Sequence, residues 1–526
     1  MTEKTTPPHP SEPALPPAGP DAPAGRHLSR KVTSAVASTS VFHGAGMGFD
    51  LLLTALLSRL LTPADYGIVA AAMLFLALCN LLREVGIGAT VVQLQQLSKR
   101  DQRTGMTLVL MSAVLLFGVA QACARAFADF MHLPAAEGAL RFLSLIIVIQ
   151  AFSTVAEGLL LRRLQVSRVM KAELGAKMLA YTGVGIGLAL AGAGYWALVG
   201  AMLAEALLRA VALIWLAKPE LTPLLDRECA RRLLGTGGGF TASRVLNFIA
   251  LRADVTIVGR HLDAASLGLY SRAYKLMSMP TDLYAKVADR VVFPAMARVQ
   301  DEPERLRTAY LRGVQLTALM GLPLTAAVFL LAPDLVAVLL GPQWTAVVPV
   351  FSVLAIGTYF RLGARVSGSL LRAKGAVREL VISQAFYAVL TIGGSLYAVR
   401  HGLVAVGMAV GLAIVLWFVL ITVQACRAVG VSVGAFLAAH GHGLLLGAVL
   451  GVALWSLRYG LHRLEVPAPA VLLAAGAALA LLAGLLVAWP RAALLGRDGA
   501  TLAGQVQGAC RRRLYRAFHR SPREAT

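Results

Sequence analysis

Long apolar stretches, broken at intervals by Gly, Pro and charged residues, set the pattern of this chain. Runs such as LVLMSAVLLFGVA (108–120), LVAVGMAVGLAIVLWFVLITVQA (403–425) and VLLAAGAALALLAGLLVAW (471–489) hold no charge. Several reach the roughly 20 residues that cross hydrocarbon as a helix. Lipid satisfies no open backbone donor or acceptor, so such spans must be helical. Apolar windows predict 14 spans, at roughly 33–57, 66–90, 105–127, 139–161, 172–193, 195–217, 235–259, 266–291, 310–332, 344–370, 379–399, 402–426, 435–457 and 468–489.

The expected fold is therefore all-α: a polytopic membrane protein of about 14 transmembrane helices. Composition agrees, with 57% hydrophobic and only 14% charged residues in 526, too much apolar surface for one soluble core. The first 25 residues hold eight prolines and no apolar core. They read as a disordered tail and not as a signal peptide. Five cysteines lie far apart with no paired spacing, which argues against a disulfide framework or a zinc cluster.

The net charge of +22 raises nucleic acid as a partner, but the placement of the charges points to a membrane instead. Alternate loops of the 14 spans receive 30 of the 49 Lys and Arg on the side of both termini and seven on the other, leaving 12 inside spans. The positive-inside rule then makes both termini cytoplasmic. The Arg-rich end RRRLYRAFHRSPR (511–523) serves orientation and contact with anionic headgroups, not nucleic acid.

Shifting the sequence by 201 residues lays SRLLTPADYGIVA (58–70) on GRHLDAASLGLYS (259–271), matching Arg59 with Arg260, Leu61 with Leu262, Ala64 with Ala265 and Gly67 with Gly268. Both pieces join an odd span to an even one. Repeated bundles of this kind place a transporter's substrate near the midplane, between the halves. The expected division is a tail over 1–31, a six-helix lobe over 32–217, a cytoplasmic linker over 218–234, a second six-helix lobe over 235–427, two extra helices over 428–490 and a basic tail over 491–526. The two lobes are expected to be pseudo-symmetric.

Several segments resemble the polysaccharide-export flippases of the multidrug/oligosaccharidyl-lipid/polysaccharide exporter superfamily. They are LLSRLLTPADYGIVA (56–70), LREVGIGATVVQ (82–93), GYWALVG (194–200), VGRHLDAASLGLYSRAYKL (258–276), FPAMARVQDEPERLRTAYLRG (293–313) and LPLTAAVFLLAPDLVAVLLGPQW (322–344). The resemblance covers about residues 30 to 490. It implies a bacterial inner-membrane protein that moves a polyprenyl-diphosphate-linked oligosaccharide between leaflets by alternating access of two lobes. The chain departs from the related lipid II flippases in having no Arg between Lys31 and Arg59 in its first span, which argues against a peptidoglycan substrate.

Charge inside a span is costly and usually faces a cavity or a partner. Span 8 carries Arg272, Lys275, Asp282, Lys286 and Asp289 at spacings that return to nearly one face, span 7 adds Arg244, Asn247 and Arg252, and span 10 adds Arg361 and Arg365. Arginine forks match phosphate oxygens bidentately, so the seven basic groups suit a diphosphate or acidic sugars. The competing reading is a set of static ion pairs in which Asp254, Asp282 and Asp289 neutralise Arg272, Lys275, Lys286 or Arg290.

Asp50 in span 1, with His43 seven residues earlier on one helical face, is the candidate proton or Na⁺ coupling pair; simple hydrogen bonding of Asp50 to nearby Ser or Thr is the alternative. Arg83 with Glu84 is a candidate gate pair. Pro280 within span 8 and the run Gly237 to Gly239 before span 7 are candidate hinges; close helix packing at small residues is the plainer account.

Nucleotide-binding, metalloprotease and glycosyl-transfer motifs are absent from the sequence. The chain is thus expected to be no enzyme and to need no cofactor and no metal. Expected partners are the lipid-linked oligosaccharide, membrane lipids, and a polysaccharide polymerase and export proteins, with the chain itself a monomer. Two other readings stay open: a cation-coupled drug exporter of the same superfamily, and a scaffold or polymerase of a polysaccharide assembly complex.

Overall fold

The computed structural model describes residues 46–83, 98–220, 222–227, 241–287 and 292–488. Every regular element among them is helical. In chain order the long helices are α1 (46–60), α2 (Pro63–Arg83), α3 (Lys99–Phe130), α4 (Ala135–Arg162, interrupted at Ser144), α5 (166–190), α6 (Trp196–Ala217) and α7 (Thr241–His261). They continue with α8 (Ala264–Val287), α9 (Pro303–Leu330), α10 (Val347–Ala373), α11 (Val377–Ala398), α12 (Leu403–Val429), α13 (Gly441–Arg463) and α14 (Ala468–Ala488). Each of the 14 expected spans overlaps one of these helices within the described residues, and the protein is a multi-pass membrane protein.

Nine helical segments among the described residues are, on their own, long and apolar enough to cross a membrane. Among the helices that fall short, α7 carries Arg252 and Asp254, α8 carries Arg272 and Lys275, and α5 is broken by a π turn at Ala180–Gly185. The chain thus gives up apolarity at specific helices. Span 13 begins later than expected because a short helix, Val433–Ala438, ends before His440 and the long helix starts afresh at Gly441.

Local chemistry explains the boundaries. Ser98 and Asp101 form a reciprocal capping box at the start of α3. Thr62 and Asp65 cap α2 in the same way: the Asp65 carboxylate accepts from the Thr62 amide at 2.9 Å and from its hydroxyl at 2.7 Å. At the start of α8 the Asp263 carboxylate accepts from the Ser266 amide at 2.9 Å. Gly430, at φ 64°, ends α12 in the left-handed region that favours glycine.

The helices sort into two bundles by their contacts. In the first, α2 and α3 pack on α4, and α4 and α5 pack on α6. In the second, α7 packs on α11, α8 and α9 on α10, and α10 and α11 on α12. The bundles meet chiefly where α2 lies against α8 and α7. Helix α13 packs on α9, and α14 on the short helix Ala332–Leu339. The docking of α13 is fixed by Asp334, 2% exposed, which accepts from Arg458 at 2.6 Å and pairs with His462 at 3.2 Å.

Helix α8 begins 201 residues after α2, the same offset that aligns the two sequence segments.

Candidate functional site

The site lies along the seam between the bundles, and its geometry starts at the crossing of α2 and α8. The two backbones approach so closely that a Cβ on Gly67 would collide with the Ala264 carbonyl, and one on Gly268 with the Pro63 carbonyl. These four positions are two repeat-related pairs, so the crossing is symmetric about a local two-fold.

The same symmetry recurs in two arginines beside the crossing. Arg59 donates through Nη2 to the Val338 carbonyl at 3.2 Å, while its counterpart Arg260 donates to the Phe130 carbonyl and lies 4.4 Å from the Phe130 ring centroid. Each arginine thus reaches from its own bundle to the chain just after the third helix, or at its end, in the other. Trp344 adds an indole donor to the Ser58 carbonyl at 2.7 Å and packs edge-on to Tyr66 at 5.3 Å, and Gln343 donates to the Leu61 carbonyl at 2.9 Å. This end of the bundle is firmly clasped.

Deeper along the seam, the Arg272 guanidinium of α8 stacks on the Tyr66 ring of α2 at 3.6 Å. Among the described residues it makes no hydrogen bond and no ion pair, and the buried Tyr66 hydroxyl is likewise without a partner. A guanidinium carries five donors in a planar fork, and here none is committed.

Arg361 of α10 is the second interior cation. It donates to the hydroxyls of Tyr274 at 2.9 Å and Tyr387 at 3.3 Å, two neutral groups. Asp254 of α7, 2% exposed, accepts from the Tyr270 hydroxyl at 2.7 Å and makes no ion pair with Arg361, Arg252, Arg272 or Lys275. The static ion-pair arrangement centred on Asp254 is therefore not what the second bundle contains.

Of the seven basic candidates, Arg272 and Arg361 lie inside. Arg252, Lys275 and Arg365 are exposed, as is Asp282. The side chains of Arg244, Asn247 and Lys286 lie outside the described residues, as do His43, Glu84, Asp289, Arg290 and Gly237 to Gly239. Asp50 pairs with Lys177 of α5 at 2.5 Å, a partner on another helix that the sequence did not single out. Pro280 sits inside an uninterrupted α8.

The first bundle holds a polar cavity that the sequence reading missed. It measures about 300 Å³ and is lined in part by Asn80, Gln150, Glu173, Glu205 and Arg209. Glu157 accepts from Arg209 beside it at 2.8 Å. One signal was available: Glu173 with Lys177, and Glu205 with Arg209 in an otherwise apolar stretch, stand one helical turn apart. Among the described residues Arg209 and Lys177 of the first bundle are thus paired with acids, whereas Arg272 and Arg361 of the second are not.

Comparison with known proteins fits this picture. Residues 56–349 match the family described as polysaccharide biosynthesis protein. The succinoglycan biosynthesis transport protein ExoT of Rhizobium meliloti is 27% identical over 59% of this chain and 62% of its own length, so the aligned part spans less than two thirds of that relative. The teichuronic acid biosynthesis protein TuaB of Bacillus subtilis is 23% identical over 66% of this chain and 72% of its own. The lipopolysaccharide biosynthesis protein WzxC of Escherichia coli is 22% identical over 63% and 68%.

Among solved structures, a lipid II flippase MurJ superposes with a TM-score of 0.60 at 11% identity, covering 81% of this chain and 99% of that one. An inward-facing MATE-family multidrug transporter of the MOP superfamily gives 0.55 at 15% identity, covering 75% and 98%. These two likenesses establish the fold alone. With more than half of its length inside the family's match, the chain belongs to the polysaccharide biosynthesis protein family.

Proposed function

We propose that this protein is a flippase that carries a polyprenyl-diphosphate-linked oligosaccharide across the bacterial inner membrane, by alternating access of its two bundles, for synthesis of a surface or secreted polysaccharide. The relatives' names support the substrate class: one is named for transport in succinoglycan biosynthesis, and two for teichuronic acid and lipopolysaccharide biosynthesis. The orientation we infer has both termini cytoplasmic, so the Arg59 and Arg260 clasps face the periplasm.

One observation carries the reading. Arg272 stands on the seam between the bundles, stacked on Tyr66, with its donors unspent. A cation held inside a membrane bundle without an acid needs an anion to compensate it, and a diphosphate supplies one in the geometry an arginine fork matches. Arg361, held by two tyrosine hydroxyls, is the second contact we assign. We assign Arg252, Lys275 and Arg365, exposed on α7, α8 and α10, as further basic contacts, and include Arg244 and Lys286, whose side chains lie outside the described residues, by their sequence positions alone. No residue in this account breaks a bond; binding and release suffice.

The test is reconstitution into liposomes with a fluorescent polyprenyl-diphosphate oligosaccharide in one leaflet. The reading predicts faster movement to the other leaflet than in protein-free liposomes. Equal rates with and without protein contradict it. Movement of a cationic dye but not of the lipid would instead favour the drug-exporter reading.

A further inference from the structure

The Asp254 carboxyl is only half satisfied in the seam. Its Oδ2 accepts from Tyr270 at 2.7 Å, whereas Oδ1 is fully enclosed and meets no donor in hydrogen-bonding geometry, although the Val255 amide lies close to the carboxylate. A buried carboxylate oxygen that carries charge and meets no donor is far more costly than a neutral hydroxyl in the same place. Asp50 is already paired with Lys177, and Asp282 is exposed. We propose that Asp254 is a proton-binding site, and that its proton is linked to anion binding at Arg361. This inference rests on the flippase reading for the identity of the anion.

The surroundings give the linkage. Facing Asp254 are Tyr270 of α8, Tyr387 of α11, Arg361 of α10 and Arg252 of its own helix, with Tyr274 of α8 beside Tyr270 and Arg361. Helix α12 also packs on α7 and carries no titratable group before Cys426. On α2, Asp65 is committed to Thr62, Tyr66 lies under Arg272, and Cys79 and Arg83 follow more than two turns later. The turn Val399–His401, which brings Arg400 and His401, packs on α7 as well.

Two states follow. With a proton on Oδ1, Oδ2 remains the carbonyl oxygen that accepts from Tyr270, and Arg361, held only by Tyr274 and Tyr387, is free for an anion. When the proton returns to water, the Asp254 carboxylate requires a cation, and Arg361 is the interior guanidinium whose field it already feels. Arg361 then leaves the tyrosine hydroxyls for Asp254 and is lost to the substrate. Proton and anion therefore bind together, each raising the affinity for the other by the same factor.

The experiment uses the full chain in nanodiscs and two readouts. Infrared spectra are expected to show the C=O stretch of a protonated carboxylic acid that disappears in Asp254→Asn and moves to higher frequency in Tyr270→Phe, which removes the Oδ2 donor. An unchanged band in both variants overturns the proton site. In the second readout, affinity for a labelled short-chain polyprenyl diphosphate is expected to fall as pH rises, by up to about tenfold per pH unit for one linked proton, and to become pH-independent in Asp254→Asn. A variant that keeps the wild-type pH dependence overturns the linkage. If no form of the protein binds the probe while the band behaves as expected, the substrate reading and the linkage fall, and the proton site stands.

Discussion

Gly67 and Gly268 meet backbone to backbone where α2 crosses α8, and the two residues are equivalent positions of a repeat 201 residues long. Neither admits a side chain: the Ala264 carbonyl fills the place of one Cβ and the Pro63 carbonyl the place of the other. Since the repeat relates each glycine to the other and each carbonyl to the other, a single symmetric contact joins the bundles. Small residues allow this approach in lipid, where close packing replaces the hydrophobic drive.

Gly67→Ala is expected to force the helices apart and lower the stability of the purified protein by about 1–3 kcal/mol, the usual cost of overpacking, with Gly268→Ala doing the same. Because one separation relieves both collisions, the double variant should cost clearly less than the sum. Thermal melting in detergent measures this. Strictly additive losses would contradict a shared contact.

The arginine clasps make a second prediction. Removing both Arg59 and Arg260 side chains takes away a charge-assisted hydrogen bond to a carbonyl in each direction. A disulfide reporter built from Ser58→Cys and Gln343→Cys, at the point where the Gln343 side chain donates to the Ser58 carbonyl, should form several-fold more slowly in the double alanine variant. Unchanged cross-linking would show that Trp344 and the glycine crossing hold this end without them.

Asp50 and Lys177 are 40% and 30% exposed at the side chain, so their ion pair is expected to contribute about 1 kcal/mol or less. Asp50→Asn should lower the melting midpoint slightly, and the exchange Asp50→Lys with Lys177→Asp should recover most of that loss. If the swap is as damaging as the two single changes together, Asp50 has a role besides pairing.

A pH dependence follows from Asp263, in the turn before α8. Hydrogen bonds from Ser266 hold its carboxyl below the usual value of 3.8. The folded state prefers the carboxylate, so the cap's contribution is present above about pH 4 and is lost as pH falls through the lower folded value. Asp263→Ala is expected to cost about 1 kcal/mol near neutral pH, with the difference from wild type closing in strong acid. A gap that persists there would mean the side chain acts by packing.

Much of the helix layout was legible because a membrane span announces itself by length and apolarity alone. The repeat was legible too, since Arg59 with Arg260 and Gly67 with Gly268 are local signals that survive divergence. The site was only partly so. Spacing placed Arg272, Lys275 and Asp282 on one face of α8, but only Arg272 turned toward Tyr66, because that choice belongs to α2 and not to α8.

Partners distant in sequence were the harder part. Lys177 lies more than a hundred residues from Asp50, and Tyr274 with Tyr387 bracket Arg361 from two different helices. The tyrosines carry no formal charge, so a search for acids opposite arginines passes over them. Asp254 drew attention as a neutraliser for the same reason, and its actual hydrogen-bond partner is the Tyr270 hydroxyl.

The account rests most heavily on Arg272, and one measurement addresses it directly: the rate of lipid-linked oligosaccharide movement in liposomes holding equal amounts of wild type, Arg272→Ala and Arg272→Lys. A charged hydrogen bond of about 1.5–3 kcal/mol corresponds to at least about a tenfold loss for the alanine variant, with lysine restoring part of it. Translocation by Arg272→Ala within about twofold of wild type would contradict the account.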